Sequence, residues 1–189
     1  MHRQYFFGYG SLVNHRTHSY PDARRARLEG WRRTWCHTQL RDEAFLSVHP
    51  ADGAVIHGLV AAVPQQDWRA LDLRESGYDR HAVTTGITHD LSAPAEVHVY
   101  AIPDRHRRVG EGGHILMSYL DVVVQGFLHH YGPAGVAHFF DTTDGWAVRV
   151  LDDRGAPRYP RHQILSAEEK DIVDRHLAQV PAEVVEKID

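Results

Sequence analysis

Tyr5-Phe6-Phe7-Gly8-Tyr9-Gly10-Ser11-Leu12 is the stretch that decides how this chain folds. Its three consecutive aromatic residues have high β-propensity and predict a first strand. The two glycines that follow end this strand, and they let the bare backbone approach a ligand because glycine adds no side chain. The N–H groups of such a turn can converge on an anionic or carbonyl oxygen. The stretch therefore predicts either a ligand-binding loop or a tight β-turn without a ligand.

The residues around these glycines exclude three familiar catalytic loops. The third glycine of a dinucleotide-binding loop is missing, and no Gly-Lys-Ser/Thr follows as it does in a phosphate-binding P-loop. The order of residues is not Gly-x-Ser-x-Gly either, so Ser11 is a poor candidate for an elbow nucleophile. If the loop takes part in chemistry, it is expected to do so through its backbone.

The composition is that of an ordinary soluble protein. A chain of 189 residues is expected to form one domain, residues 1–189, with a substantial core. The net charge of −4 argues against a nucleic-acid partner, and no apolar run is long enough to predict a membrane span. The one cysteine, Cys36, excludes an intrachain disulfide and suits a reducing compartment. We therefore expect a cytoplasmic protein; the sequence does not indicate its oligomeric state.

Sixteen histidines are an unusual feature of the chain. Most are scattered, and the close groupings are His15 with His18 and His129 with His130. A zinc site needs further ligands nearby, which nothing in the sequence specifies. Surface histidines are the simpler interpretation, so the sequence predicts no metal site and no cofactor. A metal-binding or sensing protein that uses the histidines is kept as an alternative class.

The pattern of hydrophobic residues predicts several strands early in the chain. The predicted strands cover residues 26–37, 45–49, 54–63, 81–88 and 97–102. Pro50-Ala51-Asp52-Gly53 has the composition of a turn, so residues 45–63 are predicted to form a hairpin. The strand at 26–37 is expected to bend at Gly30.

Longer helices are predicted in the second half. Residues 114–131 are apolar over most of their surface, which is typical of a central helix, and Gly132-Pro133 is predicted to end it. Ser166 and Glu169 have the spacing of a capping box that opens a final helix. Early strands followed by long helices predict an α+β fold.

Glu75 is the acidic residue whose position is hardest to explain by solvation. A short helix is predicted between Pro64 and Gly77, and Trp68, Leu71 and Glu75 fall on its apolar face. A carboxylate there is either paired with Arg74 or Arg80, or functional. Burial would raise its pKa toward neutrality, which suits a general acid or base.

Two motifs together resemble a known family. The first-strand loop Gly8-Tyr9-Gly10-Ser11-Leu12 and the segment Leu71-Asp72-Leu73-Arg74-Glu75-Ser76-Gly77-Tyr78 are similar to those of the γ-glutamylcyclotransferase superfamily, particularly its ChaC-type branch. Leu28-Glu29-Gly30-Trp31-Arg32-Arg33 and Gly58-Leu59-Val60 also resemble segments of that branch. The resemblance covers about residues 5–131 in order.

This resemblance implies a small mixed β-barrel flanked by helices and a reaction that needs no cofactor. In that reaction the α-amine of a γ-glutamyl group attacks its own γ-carbonyl, expels an amine and leaves 5-oxoproline. The substrate would be glutathione or another γ-glutamyl peptide or amine. The alternative is a non-catalytic module that binds a small molecule on the same fold.

The resemblance also implies roles for individual residues. Glu75 would be the general base and then the general acid. Substrate would be bound by the loop and by two tyrosines: Tyr9, Gly10, Ser11, Leu12, Tyr78 and Tyr119. For Tyr78 and Tyr119, the alternative is a core tyrosine whose hydroxyl group is satisfied within the protein.

Overall fold

A mixed sheet is the centre of the fold in the computed structural model, which describes residues 3–108 and 112–188. The described strands, in chain order, are β1 Arg3–Gly8, β2 Arg24–Cys36, β3 Phe45–Ala62, β4 Asp79–Val83, β5 Ile87–His89, β6 Ala95–Ala101, β7 His114–Leu116, β8 Thr143–Asp144, β9 Arg149–Leu151 and β10 Glu183–Val185. The described α-helices are α1 Arg69–Arg74, α2 Met117–Asp141 and α3 Ala167–Leu177.

The large sheet has the order β4-β6-β1-β3-β2-β5, with β8 beside β2. β1 is parallel to β6 and antiparallel to β3, so the sheet is mixed. It curls into a half-barrel flanked by the three helices, and a smaller sheet has the order β10-β9-β7. The expected α+β fold, a small mixed barrel-like sheet flanked by helices, is confirmed.

Strand β1 is buried on both faces because its aromatic residues alternate between two apolar clusters. Tyr5 and Phe7 belong to the main core, which includes the buried side of α2. Phe6 belongs to a second cluster with Trp68 and Leu71, the residues that hold α1 against the sheet. The loop that follows β1 therefore emerges between α1 and α2.

The predicted hairpin at residues 45–63 is wrong, because β3 is one continuous strand that pairs with β2 over residues 45–50 and again over residues 55–60. Trp31 lies opposite Pro50 and Glu29 lies opposite Val55, so the predicted turn is a bulge in β3 facing Gly30. Gly53 has a φ of +73°, which is a left-handed conformation. Pro50–Gly53, which have the composition of a turn, thus bend the strand and do not reverse the chain direction.

The other predicted strands and the first predicted helix need smaller corrections. Residues 81–88 were predicted as one strand, but β4 ends at Val83 and β5 begins at Ile87. After Pro64 the chain forms a short 3-10 turn in which Gln65 has a φ of +53°, so α1 begins only at Arg69. The strands predicted at 26–37 and 97–102 are confirmed as β2 and β6.

Helix α2 differs from its prediction at both ends. It begins at Met117, since residues 114–116 are taken by β7. Gly132 kinks the helix with φ +66° and ψ −168°, but the helix resumes at once and runs to Asp141. Pro133 is tolerated because it is the first residue of the second segment, where its missing N–H costs no hydrogen bond.

Helix α3 begins as predicted with a complete capping box. The Ser166 side chain accepts a hydrogen bond from the Glu169 N–H at 3.2 Å, and the Glu169 carboxylate accepts one from the Ser166 N–H at 2.8 Å. Within the described ranges, none of the helices is both long and apolar enough to pass through a bilayer.

Candidate active site

The loop after β1 is held in a narrow space that only glycine fits. A Cβ atom on Gly8 would lie 2.7 Å from the Cβ of Leu12, because the chain turns back on itself in the 3-10 turn Ser11–Val13. A Cβ atom on Gly10 would lie 2.8 Å from the hydroxyl oxygen of Tyr119. Close approach of the protein's own atoms therefore favours glycine at both positions, whereas the predicted approach of a ligand stays a prediction.

A buried arginine anchors the backbone of this loop by a hydrogen bond. Arg33 is fully buried, and its Nε donates to the backbone oxygen of Tyr9 at 3.1 Å. Its other nitrogens donate to the Thr142 hydroxyl at 2.7 Å and to the backbone oxygen of His57. Burial lowers the pKa of Arg33 to about 9, so the guanidinium still carries its charge at neutral pH. The Tyr9 hydroxyl in turn donates to the Tyr100 carbonyl at 2.7 Å.

Glu75 caps the C-terminus of α1, and its N–H donates to the Leu71 carbonyl at 2.9 Å. Its side chain is 15% exposed, and Oε1 accepts a hydrogen bond from Arg74 Nε at 3.0 Å. Burial raises the pKa of the Glu75 carboxyl above its ordinary value, although Arg74 and Arg161 act in the opposite direction. Of the two possible partners, Arg74 pairs with Glu75, whereas Arg80 pairs with Asp72 at 3.1 Å.

Arg74 connects the two motifs that the sequence singled out. Its guanidinium donates to the Ser11 hydroxyl at 3.2 Å and to the Thr17 carbonyl at 3.0 Å, while its Nε is paired with Glu75. The Arg74 side chain is only 8% exposed, so these bonds are largely shielded from water. The loop after β1 and the end of α1 are therefore fixed relative to each other.

Two adjoining cavities meet at Glu75, and we call them together the Glu75 recess. The inner cavity has a volume of about 30 Å³ and the outer cleft about 330 Å³. Ser11, Leu46, Glu75, Tyr78 and Tyr119 line both. The inner cavity is lined by all seven predicted site residues: Tyr9, Gly10, Ser11, Leu12, Glu75, Tyr78 and Tyr119.

The two tyrosines fit both of the alternatives that the sequence left open. Each lines the Glu75 recess, and each also packs on the protein interior: Tyr78 against Phe45, and Tyr119 against Trp35. The Tyr78 hydroxyl donates to the Leu46 carbonyl at 2.9 Å. Burial raises the pKa of both hydroxyl groups well above the ordinary value, so both are neutral at physiological pH.

The outer cleft has a wall that sequence reasoning missed. It is lined by Arg41, Glu43, Arg158, Tyr159 and Arg161, among others. Residues 158–161 come from the loop between β9 and α3, and the buried Asp153 carboxylate holds that loop. Asp153 accepts hydrogen bonds from the Arg158 N–H at 2.8 Å and from the Ser118 N–H at 2.7 Å. No local pattern in the sequence marks these residues, because only the folded chain brings them to Glu75.

Comparison with known families gives one match. Residues 6–117 match the family described as "Gamma-glutamyl cyclotransferase, AIG2-like". The matched stretch is more than half of the chain and contains the predicted site residues except Tyr119, which lies just beyond it. No curated protein sequence is similar enough to count as a match.

Several solved structures share the fold, among them the following three. One is titled "Gamma-glutamyl cyclotransferase", with a TM-score of 0.58 and 16% identity over 91% of this chain and 98% of the other. The second is the uncharacterized protein loc79017 from Homo sapiens, with a TM-score of 0.55 and 16% identity over 92% of this chain and 99% of the other. The third is YkqA from Bacillus subtilis, with a TM-score of 0.56 and 15% identity over 96% of this chain and 56% of the other. At these identities the similarity shows the fold alone.

Proposed function

The chain belongs to the AIG2-like gamma-glutamyl cyclotransferase family, and from this premise we propose that it is an enzyme that releases 5-oxoproline from a γ-glutamyl compound. One observation carries the proposal. The Glu75 carboxyl, with a pKa raised by burial, lies in the same small cavity as the backbone of residues 9–12. A titratable group and a carbonyl-binding loop in one recess are what an intramolecular acyl transfer requires.

Glu75 is proposed as both base and acid. The α-amine of the substrate is an ammonium group at neutral pH and must lose a proton before it can attack the γ-carbonyl. The Glu75 carboxylate takes this proton, and the carboxylic acid then protonates the amine that leaves. A raised pKa brings the group closer to the working pH, and such proton transfer contributes a factor of about 10²–10⁴ in rate.

The loop at residues 9–12 is proposed to position the substrate. Attack within one molecule needs only the correct conformation, so fixing that conformation is worth a large part of the barrier. Backbone groups of the loop would hold the substrate carboxylate and the developing oxyanion. The Arg33 and Arg74 hydrogen bonds to Tyr9 and Ser11 support this role, since they hold the loop still before substrate arrives.

The charges of the outer cleft favour one substrate class. Beyond the paired Arg74 and Glu75, three guanidinium groups and one carboxylate line it, so its charge is net positive: Arg41, Arg158, Arg161 and Glu43. The guanidinium groups would attract a carboxylate on the departing half of the substrate. We therefore propose a γ-glutamyl peptide, such as glutathione or a γ-glutamyl dipeptide, in preference to a simple γ-glutamyl amine. Membership of the ChaC-type branch stays a prediction.

The test is release of 5-oxoproline by the purified protein from glutathione, γ-glutamyl dipeptides and γ-glutamyl amines. We expect Glu75→Gln to lower kcat by about 10² or more, because the amide keeps the shape but takes up no proton. Glu29→Gln is the matched control: this exposed carboxylate on β2 borders neither part of the Glu75 recess. It should keep wild-type turnover.

The pH profile separates a base from a purely structural carboxylate. Because Glu75 must be ionised to act, kcat/KM should fall as the pH drops through its raised pKa. In Glu75→Gln this acid limb should be lost. Substantial turnover by Glu75→Gln would refute the assignment of the base. No product from any substrate would refute the enzyme and leave a non-catalytic binding module.

A further inference from the structure

His15 and the adjacent pair His129 and His130, which are far from it in the sequence, form one cluster on the surface. His15 lies in the 3-10 turn His15–Thr17, whereas His129 and His130 lie on α2 just before its kink. Each offers a ring nitrogen, and these nitrogens all lie within 4.8 Å of one another. His15 Nδ1 and His130 Nε2 are 3.3 Å apart. The fold thus unites two histidine groupings that were separate in the sequence.

Buried hydrogen bonds beneath the histidine rings hold the turn that carries His15 against α2. Asn14 is buried, and its Nδ2 donates to the Val122 carbonyl at 3.0 Å and to Gln125 Oε1 at 2.9 Å, both on α2. Gly126 lets the turn approach closely, since a Cβ there would lie 2.8 Å from the Asn14 nitrogen. The position of His15 opposite His129 and His130 therefore follows from the packed backbone.

We propose that His15, His129 and His130 form a binding site for a divalent transition-metal ion. Nitrogen ligands about 2.1 Å from a tetrahedral zinc ion are about 3.4 Å from one another, and the His15–His130 pair already has that separation. His129, with a ring nitrogen within 4.8 Å of those of the other two, would supply the third ligand. Three imidazoles with an open fourth position suit zinc, copper or nickel, whereas magnesium and calcium prefer oxygen ligands.

The nearby His18 is excluded from this site by its own hydrogen bonds. Its Nε2 contacts the Leu12 carbonyl at 3.0 Å and its Nδ1 accepts from the Tyr20 N–H at 3.2 Å, so neither ring nitrogen is left for an ion. The three proposed ligands do not border the Glu75 recess. The site would tie the turn at 15–17 to α2, and its test does not rest on the proposed reaction.

The experiment is a calorimetric titration of untagged protein with zinc chloride, with magnesium chloride as a second probe. We expect one zinc ion per chain and no magnesium binding. His15→Ala should weaken zinc binding at least about tenfold, since one ligand is lost. His81→Ala removes an exposed histidine outside the cluster and should bind as the wild type does.

Thermal unfolding gives a second readout that also reports on folding. Zinc should raise the Tm of the wild type and of His81→Ala, because a ligand that binds only the native state stabilises it. It should leave the Tm of the double variant His129→Ala/His130→Ala unchanged. Failure of the wild type to bind zinc, or equal zinc affinity of His15→Ala and the wild type, would overturn the proposal.

Discussion

Arg33 shows how a single buried residue can organise a site without lining its cavity. Its guanidinium has no carboxylate partner within the described residues and is held by Tyr9, His57 and Thr142. It also lies over two aromatic rings, 4.9 Å from that of Phe127 and 5.3 Å from that of Phe139. These contacts offset the cost of burying a charge and fix the Tyr9 carbonyl at the base of the loop.

Arg33→Met should therefore be strongly destabilising. Methionine fills similar space but leaves the buried Tyr9 carbonyl and two partly buried acceptors, on His57 and Thr142, without this donor. A buried acceptor without a donor costs about 1–3 kcal/mol, and a partly buried one costs less. We expect the free energy of unfolding in urea to fall by about 3 kcal/mol or more. Arg32→Met is the control: Arg32 pairs with Asp144 near the surface, and such pairs contribute less than about 1 kcal/mol. Equal losses in the two variants would contradict this role of Arg33.

At the scale of elements, the sequence predicted best where the local signal and the packing agree. The Ser166–Glu169 capping box was predicted because both partners of its hydrogen bonds lie within four residues. Two predictions from local signals were wrong: Pro50–Gly53 was taken as the turn of a hairpin, and Gly132–Pro133 as the end of a helix. There, long-range packing decides: β2 pairs with β3 on both sides of the bulge, and buried Val136 and Phe139 hold the second half of α2.

The kink in α2 should depend on the backbone freedom of Gly132. Its φ of +66° and ψ of −168° fall in a region open almost only to glycine, yet a Cβ there would meet no atom within 4 Å. Gly132→Ala should thus destabilise by about 1–3 kcal/mol through the backbone alone. Gly155→Ala, also in open space but without a left-handed φ, should change stability by less than about 0.5 kcal/mol. The urea midpoints of both variants test this, and an unperturbed Gly132→Ala would disprove it.

At the scale of the whole molecule, the Glu75 recess is assembled from several separated parts of the chain. The loop after β1, the end of α1 and Tyr119 on α2 were predicted, the first two because each carries a recognisable motif. The wall at residues 158–161 was not, since its position depends on the hydrogen bond that the Arg158 N–H donates to the Asp153 carboxylate. Motifs in a sequence thus indicate the proposed chemistry, while the residues proposed to select a substrate are brought to the site only by the tertiary fold.

Arg158 is the residue of this wall whose charge can be tested separately from catalysis. The charges that lower the pKa of Glu75 belong to Arg74 and Arg161, so removing the Arg158 guanidinium should leave the proposed base unchanged. Arg158→Met keeps the hydrogen bond from the backbone N–H of residue 158 to the Asp153 carboxylate, so the loop should stay in place. The variant therefore changes the charge of the cleft and little else.

If the outer cleft binds a carboxylate on the departing half of the substrate, Arg158→Met should raise KM selectively. We expect KM for a γ-glutamyl dipeptide to rise about tenfold, the equivalent of about 1.4 kcal/mol, with kcat nearly unchanged. KM for a γ-glutamyl amine without a carboxylate should stay the same. Arg175→Met, an exposed arginine on α3 away from the recess, should alter neither value. An equal rise in KM for both substrates would mean that Arg158 shapes the cleft but does not bind the carboxylate of the substrate. The proposed preference for peptides would then need another cause.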